Sequence, residues 1–195
     1  MIEVVLATKN QDKIPEIEAV LGELLPDLVV VGGLDWPEVE ETGETLQDNA
    51  LLKARAAMEA TGYPAIGDDT GLEVDALGGA PGVHTARFAG PDASYGENRA
   101  ALLKALLDTN DRSARFRTAV AFVSPNGSVL VASGEVAGTI TRQERGDCGF
   151  GYDCIFDLGD GLTMAEMGRE AKNAVSHRSR ALAGLVAAMN EDDLL

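Results

Sequence analysis

The spacing of apolar residues changes several times along the chain, and each change predicts a different element. Residues 2–7 form an apolar run that only Glu3 interrupts, which is typical of a buried strand. After a polar stretch, apolar residues recur at helical spacing, and Pro15 fits this helix only in its first turn. These apolar positions are Ile14, Ile17, Val20, Leu21, Leu24 and Leu25. A second strand is expected at residues 28–31.

Capping boxes predict where the next two helices begin. Thr45 is followed three residues later by Asp48, and we expect a helix over roughly 45–60. Ser94 and Glu97 form the more usual box, because Glu is a common third partner. Leucines at helical spacing follow Ser94 and predict a helix there.

Strand-like patterns and turns fill the remaining segments. Residues 65–79 are interpreted as two short strands bounded by glycines, and residues 78–91 as a loop. From residue 115, two apolar runs flank Asn126-Gly127, a turn that strongly predicts a β-hairpin. A last helix is expected to begin near Ser176. This mixture of strands and helices predicts an α/β fold.

Length, charge and cysteine content narrow the class of protein. At 195 residues the chain fits one domain spanning 1–195. The formal net charge of −16 argues against a nucleic-acid or anionic-membrane partner. Neither a membrane span nor a signal peptide is expected, so we expect a cytoplasmic protein. Cys148 and Cys154 are expected to be reduced thiols, because no histidine lies nearby to complete a zinc site and a disulfide is atypical of the cytoplasm.

A polar loop joins the first predicted strand to the first predicted helix. In α/β folds such a loop binds phosphates, because unpaired amide N–H groups and the helix dipole point at the ligand. The loop is not a Walker A sequence, and a solvated loop capped by Asn10 or Asp12 explains it equally well. The candidate phosphate-binding residues are Thr8, Lys9, Asn10, Gln11, Asp12 and Lys13.

Two acidic stretches are candidates for binding a cation. Neighbouring carboxylates repel each other, so Asp68 and Asp69 need a positive partner or an open, solvated position. Mg²⁺ is usually held by one or two carboxylates, with substrate phosphates and waters completing its coordination. A glutamate from Glu38–Glu41 with one aspartate of the pair would suffice. In so acidic a chain, a solvated acidic face explains Glu38–Glu41 as well.

A glycine-rich aromatic loop, GFGYD, and a later basic segment, KNAVSHR, complete the candidate set. Aromatic rings stack on a flat base, and an aspartate accepts hydrogen bonds from ring N–H groups. Lysine, histidine and arginine donate to phosphates or to a carbonyl edge, although packing and capping roles explain such residues too. Together the four features indicate a metal-dependent nucleotide site. The residues are Phe150, Gly151, Tyr152, Asp153, Lys172, His177 and Arg178.

Six ordered blocks span nearly the whole chain: VVLATKNQDK, EETGETLQDNALLKA, DDTGLEVDALGGAPGVHTARFAG, GFGYDCIF, TMAEM and KNAVSHR. They resemble the inosine/xanthosine triphosphate pyrophosphatases, also called noncanonical purine NTP pyrophosphatases. The resemblance implies an elongated mixed β-sheet flanked by helices, with two lobes around a central active-site cleft. It implies Mg²⁺-dependent hydrolysis of ITP, dITP and XTP to the nucleoside monophosphate and pyrophosphate, which keeps deaminated purines out of DNA and RNA. It also implies a homodimer.

Position by position, the resemblance implies roles in the chemistry. Glu40 and Asp69 would bind Mg²⁺, with Glu41 and Asp68 close by. Asp69 would also be the general base for the attacking water, and Lys53 would offset phosphate charge.

The resemblance also implies which residues contact the substrate. Residues 8–13 would hold the triphosphate, Lys172 would offset its charge, and Thr70 would contact the substrate. Phe150–Asp153 would enclose the base, and His177-Arg178 would read its 6-oxo edge.

The chain departs from the family pattern at three positions. Cys154 stands where proline usually follows FGYD, Thr70 replaces a commoner serine, and Gly67 stands where alanine is usual. None of the three removes a proposed catalytic group.

Two other functions stay open. A related pyrophosphatase for modified pyrimidine triphosphates has a similar fold, although FGYD and SHR favour purines. A non-catalytic nucleotide-sensing module is the second alternative. The presence of Lys13, Lys53 and Asp69 favours an enzyme, because a pure binder has no need of a base and a metal site.

Overall fold

The computed structural model describes residues 2–192 and Leu194. Within these residues, seven strands form one sheet. The strands are β1 (Ile2–Leu6), β2 (Leu28–Val30), β3 (Ala65–Val74), β4 (Pro81–Gly82), β5 (Ser113–Val123), β6 (Val129–Ile140) and β7 (Phe156–Asp157). Their order is β2-β1-β3-β5-β6-β7, and β4 pairs with β3. The sheet is mixed, because β1 runs parallel to β2 and β3, whereas β4 and β7 pair antiparallel with β3 and β6.

Helices flank this sheet, so the predicted mixed α/β fold is confirmed. They are α1 (Ile14–Leu24), α2 (Leu46–Thr61), α3 (Tyr95–Ala105), α4 (Arg169–Val175) and α5 (His177–Glu191). Both predicted capping boxes form, with Thr45 and Ser94 as N-caps. None of the helices in the part of the chain that the structure describes has the length and apolar character needed to cross a membrane.

The chain divides into two compact units, and each has its own core. The first unit holds the chain up to Asp69, together with Thr118–Gly134 and the chain from His177 onward. Its largest core cluster joins α1 and α5 to β1 through residues such as Ile17, Leu182 and Val4. The second unit comprises Thr70–Arg117 and Glu135–Ser176, and its core joins α3 to β5 and β7.

The structure differs from the sequence prediction in several segments. Strand β4 (Pro81–Gly82) lies in the segment 78–91 that was interpreted as a loop. The segment interpreted as two short strands is one ten-residue strand, β3, so Asp68 and Asp69 lie inside a strand and not at its end. Gly67 and Gly71 lie inside this strand and are buried. Helix α4 was not predicted, because its sequence, REAKNAV, has no clear apolar periodicity.

One of these glycines brings α2 close to β3. A Cβ atom at Gly67 would lie 2.3 Å from the carbonyl oxygen of Ala50 and 2.8 Å from the amide nitrogen of Ala54. Both alanines are fully buried on α2. Small residues on both elements therefore permit a close helix–strand contact, which explains the departure from alanine at position 67.

We expect Gly67→Ala to destabilise the protein by about 1–3 kcal/mol, because the added methyl group forces α2 away from β3. Gly22→Ala is the matched control, since position 22 lies in α1 and has open space around its Cα. The control substitution should stabilise the protein by about 0.5 kcal/mol through helix propensity. Urea unfolding measures both changes. Equal stability of the two variants would contradict the close contact.

Candidate active site

Adjacent side chains of a strand point to opposite faces of the sheet, and this separates the two aspartates of β3. Ile66, two residues before Asp68, packs in the core cluster that contains α1 and α5. Gly67, two residues before Asp69, faces α2. Each carboxylate therefore meets a different set of partners, although both belong to the first unit.

Asp69 lies in a cluster with residues of α2 and of the loop before it. Lys53 Nζ lies 2.8 Å from Asp69 Oδ1 and 3.0 Å from Glu41 Oε1. Asn49 Nδ2 donates to Asp69 Oδ2 at 3.3 Å, and the Asn49 side-chain oxygen accepts from the Gly43 amide at 2.8 Å. Lys53 and Asn49 thus fix Asp69 and also hold the loop that carries Glu41.

The environment of this cluster raises the pKa of both its lysine and its aspartate. Burial raises the pKa of Asp69, and Glu41 adds to the effect, while Lys53 opposes it. Burial acts to lower the pKa of Lys53, but the carboxylates of Asp69, Asp68 and Glu41 outweigh it. Asp69 is consequently a stronger proton acceptor than an ordinary aspartate, and Lys53 keeps its positive charge.

Asp68 lies in a different ion-pair cluster, on the other face of β3. Lys13 Nζ lies 2.9 Å from Asp68 Oδ2, and Arg178 Nε lies 3.5 Å from the same oxygen. Arg178 also forms an ion pair with Glu16 of α1. Burial favours the neutral carboxyl, but Lys13, Arg178 and Lys53 hold the pKa of Asp68 well below its usual range. Asp68 therefore balances the buried charge of Lys13 and shares that of Arg178 with Glu16.

The polar loop 8–13 is ordered by its own short contacts. Thr8 Oγ1 accepts from the Asn10 amide at 3.2 Å, and Asn10 Oδ1 accepts from the Asp12 amide at 2.9 Å. Lys9 Nζ lies 3.0 Å from Asp35 and 4.3 Å from the centre of the Trp36 ring. Gln11 is exposed, and burial lowers the pKa of Lys13, an effect that Asp68 opposes.

The carboxylates near Lys53 fit a magnesium ion better than a transition metal. Across the described residues, no three or more histidine, cysteine, aspartate or glutamate side chains are grouped so that they could hold a metal ion. Two carboxylates, Glu41 and Asp69, do converge on one cation, the Lys53 ammonium. Mg²⁺ suits such a pair, because substrate phosphates and waters supply its other oxygen ligands. Glu40, by contrast, is exposed.

His177 begins α5 and is held by a neighbouring strand. Its Nδ1 lies 2.6 Å from Thr118 Oγ1 on β5, and both residues are buried. A hydrogen bond at Nδ1 fixes the ring orientation and the tautomer, and thereby sets whether Nε2 donates or accepts. Thr118 was not among the residues singled out from the sequence.

The aromatic loop belongs to the second unit, where Asp153 organises it. Asp153 Oδ2 accepts from the Phe150 amide at 2.9 Å and from Lys172 Nζ at 2.7 Å. Lys172 Nζ also lies 5.0 Å from the centre of the Phe150 ring. A Cβ atom at Gly149, where φ is +78°, would lie 2.2 Å from Asp153 Oδ2, so only glycine fits there. Tyr152 is buried and donates to the Thr85 carbonyl at 2.9 Å.

The structure thus brings several of the predicted site residues into contact and adds others. Glu41, Lys53 and Asp69 form one group, while Lys13, Asp68 and Arg178 form another. Thr70 follows Asp69 in β3 and is half-buried. Three further residues were not predicted from the sequence, because each contacts partners that are distant in sequence. They are Glu16, Asn49 and Thr118. The roles of the predicted residues in binding and catalysis stay predictions.

Comparisons with known proteins agree on one family. The model of the Ham1 family matches residues 4–188. A dITP/XTP pyrophosphatase of Leifsonia xyli subsp. xyli is 49% identical over 190 residues, which cover 95% of this chain and 94% of that protein. One of Geobacter sulfurreducens is 49% identical over 187 residues, 94% of each chain. The structure of a HAM1 protein from Coxiella burnetii has a TM-score of 0.86 at 40% identity, and covers 98% of this chain and 100% of its own.

We expect Asp68→Asn to destabilise the protein by about 3 kcal/mol at neutral pH, because Lys13 loses its buried counter-ion and Arg178 keeps only Glu16. Since the pKa of Asp68 is lower in the folded state, its contribution is present above the ordinary aspartate range and disappears as the pH falls below it. The difference between wild type and Asp68→Asn should therefore shrink in acid. Urea unfolding at several pH values measures this trend.

The matched control for this prediction is Asp92→Asn, because Asp92 is exposed. It should change the free energy of unfolding by less than about 0.5 kcal/mol. An Asp68→Asn protein as stable as the control at neutral pH would contradict the counter-ion role.

Proposed function

The chain belongs to the Ham1 family, and from that premise we propose that it hydrolyses noncanonical purine nucleoside triphosphates. The substrates are ITP, dITP and XTP, and the products are the nucleoside monophosphate and pyrophosphate. The observation that carries the proposal is the convergence of Glu41 and Asp69 on Lys53. Relatives that are 49% identical to this chain are named dITP/XTP pyrophosphatases, which supports the substrate class. The reaction removes deaminated purines before they enter DNA and RNA.

Asp69 is the general base in this proposal. Burial raises its pKa and so strengthens it as a proton acceptor. Its carboxylate orients the attacking water and takes up its proton. Lys53 holds the carboxylate in place and keeps a positive charge that offsets the charge of the triphosphate.

Mg²⁺ is the proposed cofactor, held by Asp69 with Glu41 as its nearest acidic partner. When bound, Mg²⁺ supplies a Lewis acid for the phosphate oxygens. Glu40, which the resemblance pairs with Asp69, lies next to Glu41 on the same loop but is exposed. Asp68 is assigned to the support of Lys13 and Arg178 and not to the metal.

Recognition of the base is proposed for two segments. Phe150–Asp153 provides aromatic surface and is ordered by Asp153 with Lys172. His177 and Arg178 supply donors for the 6-oxo group of the purine. Adenine presents an amino group at that position, so ATP would leave buried donors unpaired and would be a poor substrate.

The remaining expectations stay predictions. They include contact of Thr8–Lys13 and Thr70 with the substrate, a homodimer, a cytoplasmic location and the absence of a nucleic-acid partner. The cleft implied by the family resemblance and the single domain spanning 1–195 also stay predictions.

We expect pyrophosphate release from ITP and XTP with Mg²⁺, little release from GTP, ATP or dTTP, and none in EDTA. Asp69→Asn should lower kcat for ITP by a factor of about a hundred or more, because it removes the general base. Asp92→Asn is the control, since it makes the same chemical change at an exposed position. A coupled assay for pyrophosphate measures all of these rates.

A contrary result would either favour another function or contradict the role of Asp69. Tight nucleotide binding without turnover would favour the sensing module and overturn the proposal. Preference for dTTP or a modified pyrimidine triphosphate would favour the related pyrimidine enzyme. Full activity in Asp69→Asn would contradict the role of Asp69 as the base.

A further inference from the structure

Helix α3 contacts the aromatic loop Gly149–Asp153 through two side chains on one of its faces. The Tyr95 ring lies 6.1 Å from the Phe150 ring, measured between centroids. Arg99, one helical turn later, donates from Nη1 to the Gly151 carbonyl at 2.9 Å. The helix therefore contacts both a side chain and the backbone of the loop.

Arg99 is itself held by an acidic residue that precedes the loop. Its Nε lies 3.0 Å from Glu144 Oε1, and its side chain is only 19% exposed. Glu144 in turn lies 3.6 Å from the sulfur of Cys154, the residue that follows the loop. One guanidinium thus connects the segment before the loop to the middle of the loop. A planar guanidinium can make both contacts at once, which a lysine cannot do equally well.

Asp153 and Thr85 anchor the two neighbours of Gly151, Phe150 and Tyr152, whereas Arg99 is the side chain that binds the Gly151 carbonyl itself. Gly149 and Gly151 have φ values of +78° and +63° and carry no side chain that could anchor the backbone. A cavity of about 160 Å³ lies against the loop, lined in part by Arg99, Glu144 and Phe150. Close packing is therefore absent on that side of the loop, and the position of the Gly151 carbonyl depends on Arg99.

Cys154 makes the position of the Gly151 carbonyl depend more strongly on Arg99. A proline ring would restrict the backbone immediately after the loop, and cysteine does not. The Arg99 contacts supply a restraint at the neighbouring Gly151 by hydrogen bonding instead.

We propose that Arg99 is a positioning residue that holds Gly149–Asp153 in the conformation that receives the purine. It acts on the affinity for the base and not on the reaction at the phosphates. The proposal rests on the proposed function, in which this loop encloses the base. Substitution of Arg99 is therefore expected to change KM with little change in kcat, because the order of the loop affects binding before chemistry begins.

The kinetic test compares Arg99→Met with Lys104→Met, a change of an exposed cation on the same helix. Arg99→Met should raise KM for ITP about tenfold and change kcat less than about twofold, because it removes a charged hydrogen bond and an ion pair. Arg99→Lys keeps one charge and should give an intermediate KM. Lys104→Met should match wild type. Thermal unfolding checks that all variants are folded.

A second readout does not depend on activity. In a Cys148→Ser background, Cys154 is the remaining thiol, and its labelling by a maleimide reports how freely the loop opens. Arg99→Met should label Cys154 about tenfold faster than the background protein, since opening of the loop becomes easier. Lys104→Met should leave the labelling rate unchanged.

The two readouts separate this proposal from the function on which it rests. If ITP is not hydrolysed but Arg99→Met accelerates labelling, the proposed function fails and the restraint by Arg99 stands. Unchanged labelling together with unchanged KM overturns the proposal. A fall in kcat with a lower melting temperature and an unchanged KM also overturns it, because that result indicates a general structural role.

Discussion

The first unit depends on burying two adjacent carboxylates in the middle of one strand. A buried charge is costly unless it is paired, and alternation along a strand sends neighbouring side chains to opposite faces. Asp68 and Asp69 therefore form direct ion pairs with different cations, one on each face of β3. Lys13, which immediately precedes α1, and Arg178 of α5 lie against Asp68. Lys53 of α2 lies against Asp69. The close contact at Gly67 allows α2 to approach near enough for this purpose.

The two faces then give two chemically different aspartates. Surrounding cations lower the pKa of Asp68, whereas burial and a neighbouring glutamate raise that of Asp69. Adjacent groups whose environments shift their pKa in opposite directions are typical of sites that separate a base from a fixed charge. The fixed charge of Asp68 balances Lys13 and, with Glu16, Arg178. In the proposed function, the more basic Asp69 takes up the proton of the attacking water.

Much of this could be predicted from the sequence, because the relevant signals are local. Apolar spacing, the two capping boxes and the Asn126-Gly127 turn predict most strands and helices. The family resemblance also indicates Lys53 and Asp69, which form an ion pair in the structure. The alternation of side chains along a strand would also place Asp68 and Asp69 on opposite faces, but this segment was interpreted as two short strands bounded by glycines.

The remaining contacts could not be predicted, because their partners are far apart in the chain. Glu16 and Arg178 are separated by 162 positions, and Thr118 and His177 by 59. No local pattern reports that such residues meet. The choice between Glu40 and Glu41 is also a tertiary question, since adjacent loop residues have similar local signals and only the fold decides which one reaches Lys53.

The most direct test of the account compares the Mg²⁺ dependence of ITP hydrolysis in Glu41→Gln and Glu40→Gln. If Glu41, Lys53 and Asp69 form the catalytic centre, Glu41→Gln should raise the Mg²⁺ concentration for half-maximal rate by about tenfold or more. Glu40→Gln should leave it near the wild-type value. The reverse pattern, with Glu40→Gln impaired and Glu41→Gln normal, would contradict the central claim.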